Sequence, residues 1–265
     1  MLITAGCGIS QITWPEWPTW PKYCKITHEC DHINLGGPGS GNWYIMNSTM
    51  RSIAENENVD CVVVTWTNQD KLDLFLDDSN PIEDVRNFKS RNWILNWNGE
   101  LTDDNSGFWP SSVSDDNYFK KSYIPWQNDI NHALVTFQCI LTLSQFCKQK
   151  NIPLYNFMSY DLEIEKFANN KNTSWLVNSI DWNSWPTLEP LALDYYNSKW
   201  FDYEVTKTQG LIPVAGWHWE IYQKHFVPIL NKHYKQKNIN KEKLTKYVGE
   251  LTRKKYNEYK NILEN

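Results

Sequence analysis

The sequence predicts an α/β fold, a three-layer α/β/α sandwich built on about five parallel strands. Three observations predict it. Apolar runs of strand length alternate with helical stripes along the chain, the pattern of βαβ units. The run over 59–66, with Val62-Val63-Val64 at its centre, is β-branched and uninterrupted, as a strand covered on both faces requires. A hydrophobic fraction of 41%, with 15 Trp, 14 Tyr and 10 Phe, supplies the apolar surface of a real core and excludes a disordered chain.

Taken in order, residues 2–5 form the first strand. Residues 12–21 form a loop, because three Trp-Pro pairs forbid continuous helix there. A short second strand over 32–35 leads into the glycine-rich turn 36–42, and 43–55 reads as a helix. After the strand 59–66 comes a long stretch, 77–126, rich in Asn, Asp, Trp and Pro, expected to be an insertion with short helices of its own. Residues 130–148 place Ala133, Leu134, Phe137, Ile140, Leu141 and Phe146 on one helical stripe. The next strand is 152–158. A second Trp-rich irregular stretch covers 171–210, and a helix from 219 to about 234 closes the globular part. The expected organisation is one domain over 1–231 followed by a basic helical tail over 232–265, where Leu244, Val248 and Leu251 recur at helical spacing.

Charge is uneven. The tail carries 10 Lys+Arg against 4 Asp+Glu, a net of +6, while the remaining 231 residues carry 16 against 27, a net of −11. A solvated helix folded back on an acidic body explains this better than a nucleic-acid partner does. Residues 1–5 lack a basic stretch and the length of a signal segment, and no apolar run approaches the roughly 20 residues that span a bilayer. The expectation is a cytosolic protein without a membrane partner; a virion component would carry the same signature. The six cysteines read as free thiols. Cys24, His28, Cys30 and His32 crowd four soft ligands into one segment, whereas zinc sites draw pairs from two, so a helix end and strand start is expected and no metal or cofactor is assigned.

Ligands of open parallel sheets bind beyond the carboxyl ends of the strands. The polar and glycine-rich segments fall there: 6–10, 36–42 and 67–70, with His218 before the last helix of the body. The glycine run is not a phosphate-binding P-loop, because no Gly-Lys-Ser or Gly-Lys-Thr follows it. Ala5-Gly6-Cys7-Gly8-Ile9-Ser10 resembles the first sequence block of the SGNH (GDSL-type) hydrolases, and a phage-encoded branch of them in particular, which continues into a Trp-Pro helix start as in Thr19-Trp20-Pro21. Residues 34–42 resemble the second block and 63–70 the third. Gly216-Trp217-His218, with His225-Phe226-Val227-Pro228 after it, resembles the last.

The resemblance implies an oxyanion site at Gly8, Gly39 and Asn68, with Asn42 beside it, and a catalytic histidine at His218. Two departures go with it. The nucleophilic serine falls on Gly8, and the acidic residue three positions before the histidine falls on Ala215. Ser10 is the alternative nucleophile, its other role being to cap the chain that follows; Cys7 points into the core. For His218 a packed core histidine is the competing reading, and for Asn68 a strand-end turn. Trp14, Trp17, Trp66, Trp217 and Trp219 adjoin the strand-end motifs and are expected as pocket walls.

Two functions follow from the resemblance. One is a degenerate hydrolase that binds a glycan or acyl ligand. The other is an active ester hydrolase or carbohydrate O-deacetylase in which His218 acts with Ser10 or with an activated water, the oxyanion hole and binding together retaining roughly 10³- to 10⁴-fold catalysis over water in a serine hydrolase.

Overall fold

The structure, a computed structural model, describes residues 1–7, 10, 18–71, 73–76, 94–98, 101–102, 107–110, 128–197 and 215–263. Gly8, Trp14 and Trp17 lie outside them, as does most of the stretch 77–126.

In chain order the elements are β1 (Leu2–Gly6), α1 (Trp20–Thr27), β2 (His32–Asn34), α2 (Asn42–Glu55), β3 (Cys61–Trp66), β4 (Asp73–Leu76), β5 (Ile94–Leu95), β6 (Leu101–Thr102) and β7 (Gly107–Pro110). There follow α3 (Asp129–Gln149), β8 (Leu154–Met158), α4 (Ile164–Ala168), α5 (Ser174–Val177), α6 (Leu191–Tyr196), α7 (Ala215–Ile221), α8 (Val227–Leu230) and α9 (Lys241–Leu263).

β1 lies between β2 and β3, and β8 adds beyond β3, all parallel, in the order β2-β1-β3-β8. Side chains alternate across this sheet. Ile3, Ala5, Val62, Val64, Trp66 and Met158 pack in one core with residues of α2 and α3. Leu2, Cys61, Val63 and Phe157 pack in a second core with α1, α6, α7 and α9. Helices therefore cover both faces, as the uninterrupted apolar run at 61–66 requires. Among the described residues the parallel sheet has four strands where about five were expected. Between Ser159 and Asn197 the chain makes only short helices and turns.

The insertion holds a sheet that the sequence reading did not include: with β4 just before it, its described residues form a second sheet, antiparallel, in the order β4-β7-β5-β6. The short helices expected in 77–126 fall on residues outside the described ones. Phe108 is fully buried at its centre, with the rings of Trp43, Tyr44, Phe75 and Trp97 packed around it at 4.7 to 5.5 Å. Strands of two to four residues are too short to show alternation in the sequence. The closing helix also differs. It begins at Ala215, passes through a π-helical turn over Tyr222–Phe226 and ends at Leu230. Pro228 has no N–H to give the residue four before it, and the wider turn just upstream accommodates that break.

The segment 24–32 is a helix end followed by a strand start, and three of its four soft side chains are engaged in hydrogen bonds. The Cys24 thiol donates to Trp20 O at 3.4 Å, His32 Nε2 lies 2.8 Å from Thr4 Oγ1, and the His28 ring bonds Thr27, Tyr222 and Asn231. Among the described residues no helix is long and apolar enough to cross a membrane.

Candidate functional site

The loops after β1, β2 and β3 are knitted together at the carboxyl edge of the sheet. Gly37 N donates to Gly6 O at 2.9 Å, Ser40 Oγ to the same oxygen at 3.3 Å, and Asn34 Nδ2 to Ser10 O at 3.2 Å. The loop after β8 joins through Ser159, whose N–H donates to Trp66 O and whose hydroxyl sits 4.0 Å from the Cys7 sulfur. Three of the four chain segments singled out by the sequence thus share one rim.

Ser10 is fully buried there, and its hydroxyl pairs with the Thr65 hydroxyl at 2.8 Å. Its N–H closes a turn onto Cys7 O at 2.7 Å, and Thr19 Oγ1 donates to its carbonyl. This packing explains Gly6: a Cβ at that position would stand 2.1 Å from both the Ser10 and Thr65 hydroxyl oxygens. The role of Ser10 in the structure is to pin the turn to the sheet.

Gly39 adopts φ 75°, a left-handed turn that glycine makes at little cost. Asn42, the first residue of α2, bridges three elements. Its Oδ1 accepts from Thr67 N at 2.9 Å, and its Nδ2 donates to Thr67 O and to Thr136 Oγ1 on α3, both at 3.0 Å. Asp73, from β4, accepts from Gly41 N and Tyr44 N at 2.7 Å each and so caps α2 from outside. Burial pushes its carboxyl up to about 7, against the pull of those two N–H groups and of Lys71. Asn68 folds into a strand-end turn, its Oδ1 accepting from Asp70 N at 3.1 Å.

His218 sits in α7, fully buried, its ring 5.0 Å from that of Trp217. Neither ring nitrogen has a hydrogen-bond partner among the described residues, and burial alone holds the ring down at about 3, neutral at pH 7. Ser10 is not its partner. Trp217 is buried edge-on against Tyr195. Trp66, expected as a pocket wall, is a core residue of the α2–α3 side whose indole N–H donates to Asn156 Oδ1 at 2.9 Å. Trp219 stacks on Tyr222 and donates to Thr245 Oγ1.

A polar cluster that the sequence reading missed surrounds the end of β3. His132, on α3 one turn before Thr136, lies 3.5 Å from the Asp70 carboxylate. Gln69 Nε2 donates to Glu163 Oε2 at 2.7 Å, and Lys166 joins Glu163 to Asp129 at 3.0 Å. Glu163 holds a left-handed φ of 48°, uncommon outside glycine. Asn68-Gln69-Asp70 is visible as a polar run after a strand, but only the packing of α3 against α2 brings His132 to it. No protein family, no curated protein and no solved structure matches this chain.

Proposed function

We propose that the chain is a degenerate SGNH-hydrolase-like protein that binds a glycan or acyl ligand at the carboxyl ends of its parallel strands without turning it over. The observation that carries this reading is the engagement of the Ser10 hydroxyl by Thr65 while neither nitrogen of the His218 ring has a hydrogen-bond partner among the described residues. A serine hydrolase needs those two side chains within hydrogen-bond reach. With Gly8 at the family's nucleophile position, an attacking group activated by a base is missing from the described rim. The hydrogen-bonded loops that carry Gly39, Asn42 and Asn68 at the carboxyl edge of the sheet support binding there. A cytosolic or virion-associated location is part of the same reading, supported by the free thiols of Cys24, Cys30, Cys61, Cys139 and Cys147.

A second reading, ester hydrolysis by a water that His218 activates, is favoured by the neutral, unpartnered ring. A base held near 3 is weak for work at neutral pH, which ranks this reading lower.

The test offers acetylated and deacetylated oligosaccharides and nitrophenyl acetate and butyrate to the purified chain, with binding followed by calorimetry and turnover by absorbance. Binding of a member of this set, weakened about tenfold in Asn68→Ala, with no turnover above buffer, is the expected result. Turnover that His218→Ala abolishes would move the assignment to the hydrolase. Failure to bind any of these compounds would remove the reading.

A further inference from the structure

A cavity of about 340 Å³ lies on the flank of α3, beside the first half of β8 and away from the carboxyl rim. Three parts of the chain enclose it. Leu141, Ser144 and Lys148 face it from α3, at the spacing that puts side chains on one helical face. Ile152, Leu154 and Asn156 face it from β8 and the approach to it, and Ile180, Asp181 and Trp185 close the third side. That third wall is braced by its own bonds. The Trp182 indole donates to Val177 O at 2.9 Å, and the Ser179 and Ser184 hydroxyls donate to Trp175 O and Asp181 O at 2.7 Å each. The cavity is therefore pre-formed, as small-molecule pockets usually are.

One buried polar group in it is left uncommitted by the fold. Asn156 is 4% exposed, and its Oδ1 accepts from the Trp66 indole at 2.9 Å. An indole N–H only donates, so the amide cannot turn over and its Nδ2 is directed away from Trp66. Nδ2 donates to no atom of the described residues, and it is not among the polar atoms sealed from solvent. Because Asn156 lines the cavity, the cavity is where this amide is reached. Buried donors are paired in the great majority of cases, which leaves an acceptor to be supplied from outside the chain.

We propose that this cavity binds a small neutral carbonyl compound, its oxygen on Asn156 Nδ2 and its apolar body against Leu154, Ile180 and Trp185. The site is separate from the rim and goes beyond the reading given for it. The volume lies at the small end of the roughly 300–1,000 Å³ usual for ligand pockets, which suits a ligand of about ten non-hydrogen atoms. Water on the apolar walls gains little, so a body that displaces it while a carbonyl keeps the one good hydrogen bond is favoured. A hydroxyl fits less well, because its proton would compete with the Trp66 indole for Asn156 Oδ1. Lys148 and Asp181 are exposed, with their charges in water, so a carboxylate or ammonium carried to Asn156 would be buried without a counter-charge.

Propiophenone and cyclohexyl methyl ketone, each beside the hydrocarbon in which a methylidene group replaces the oxygen, are titrated into the ¹⁵N-labelled full chain. Side-chain amide ¹H–¹⁵N spectra follow the binding. The expected result is saturable binding of a ketone, about three- to tenfold tighter than its hydrocarbon counterpart, with the Asn156 amide resonances moving. Asn156→Leu also strips the Trp66 indole of its acceptor, so the discriminating variant is Ser144→Trp, which sets a large ring at the cavity from a half-buried helix position and should weaken the ketone about tenfold. Equal affinity for ketone and hydrocarbon would overturn the proposal, as would an unmoved Asn156 amide or undiminished binding by Ser144→Trp. Absence of saturable binding by both ketones would also overturn it, the cavity then holding water alone. Binding at the rim is read from the glycan and ester titrations, so either reading can fail by itself.

Discussion

At the scale of single residues, the rim is decided by a few buried polar atoms. Gly6 exists because Ser10 and Thr65 occupy the space above it, and Asn42 because one amide must satisfy both ends of Thr67. His218 is the costly residue. Its ring is held near 3 in the fold against an ordinary 6.5, so below pH 6.5 the unfolded chain binds a proton that the native chain refuses. Its contribution is thus complete above pH 6.5 and is lost as pH falls toward 3, by roughly 5 kcal/mol in total. His32, lowered to about 4 by burial, acts with the same sign over a shorter span. Asp73, raised to about 7, works the other way and adds stability as pH falls from 7 toward 4. We expect His218→Gln to flatten the acid limb of a urea-denaturation series by about 1 kcal/mol per pH unit between pH 6 and 4. An unchanged slope would show that the ring is hydrated in solution.

At the scale of elements, the start of α2 connects the two sheets. Its own N-cap residue is Gly41, which provides no side-chain cap, and the missing acceptor comes from Asp73 on β4. The crossing is tight: a Cβ at Gly41 would lie 2.1 Å from Lys71 O. The antiparallel insertion is thereby tied to the helix that carries the glycine-rich turn. Asp73→Ala leaves two buried N–H groups unsatisfied and should cost about 2 to 3 kcal/mol, read as a lower urea midpoint at constant slope. A loss below about 0.5 kcal/mol would mean that water replaces the carboxylate. The other telling element is α3, whose single face holds Thr136 against Asn42 and His132 against Asp70.

At the scale of the whole molecule, the basic tail is part of the body. α9 returns to α7, where Thr252 Oγ1 accepts from Gly216 N, Thr245 Oγ1 accepts from the Trp219 indole, and Val248 is buried. Val248→Asp should therefore destabilise the entire fold by about 3 kcal/mol, shifting a single cooperative thermal transition, whereas Lys243→Ala should stay within about 0.5 kcal/mol. A Val248→Asp protein with an unchanged transition would show that the tail folds apart.

The layered class, the four central strands and the helices α2, α3 and α9 were legible in the sequence, because period-2 and period-3.6 burial writes itself into the order of apolar residues. The insertion's sheet was not, since its strands are shorter than one readable period. The loops at 6–10, 36–42 and 67–70 were legible as site material from their glycines and polar runs. By itself the sequence determined only the candidates for chemistry: Ser10, Gly39, Asn42, Asn68 and His218. Tertiary structure alone decided that Ser10 faces Thr65, that Trp66 faces the core, and that His132 meets Asp70. The physical reason is that a hydrogen-bond partner 55 residues away, as Thr65 is from Ser10, leaves no periodic mark on the chain, so only packing reveals it.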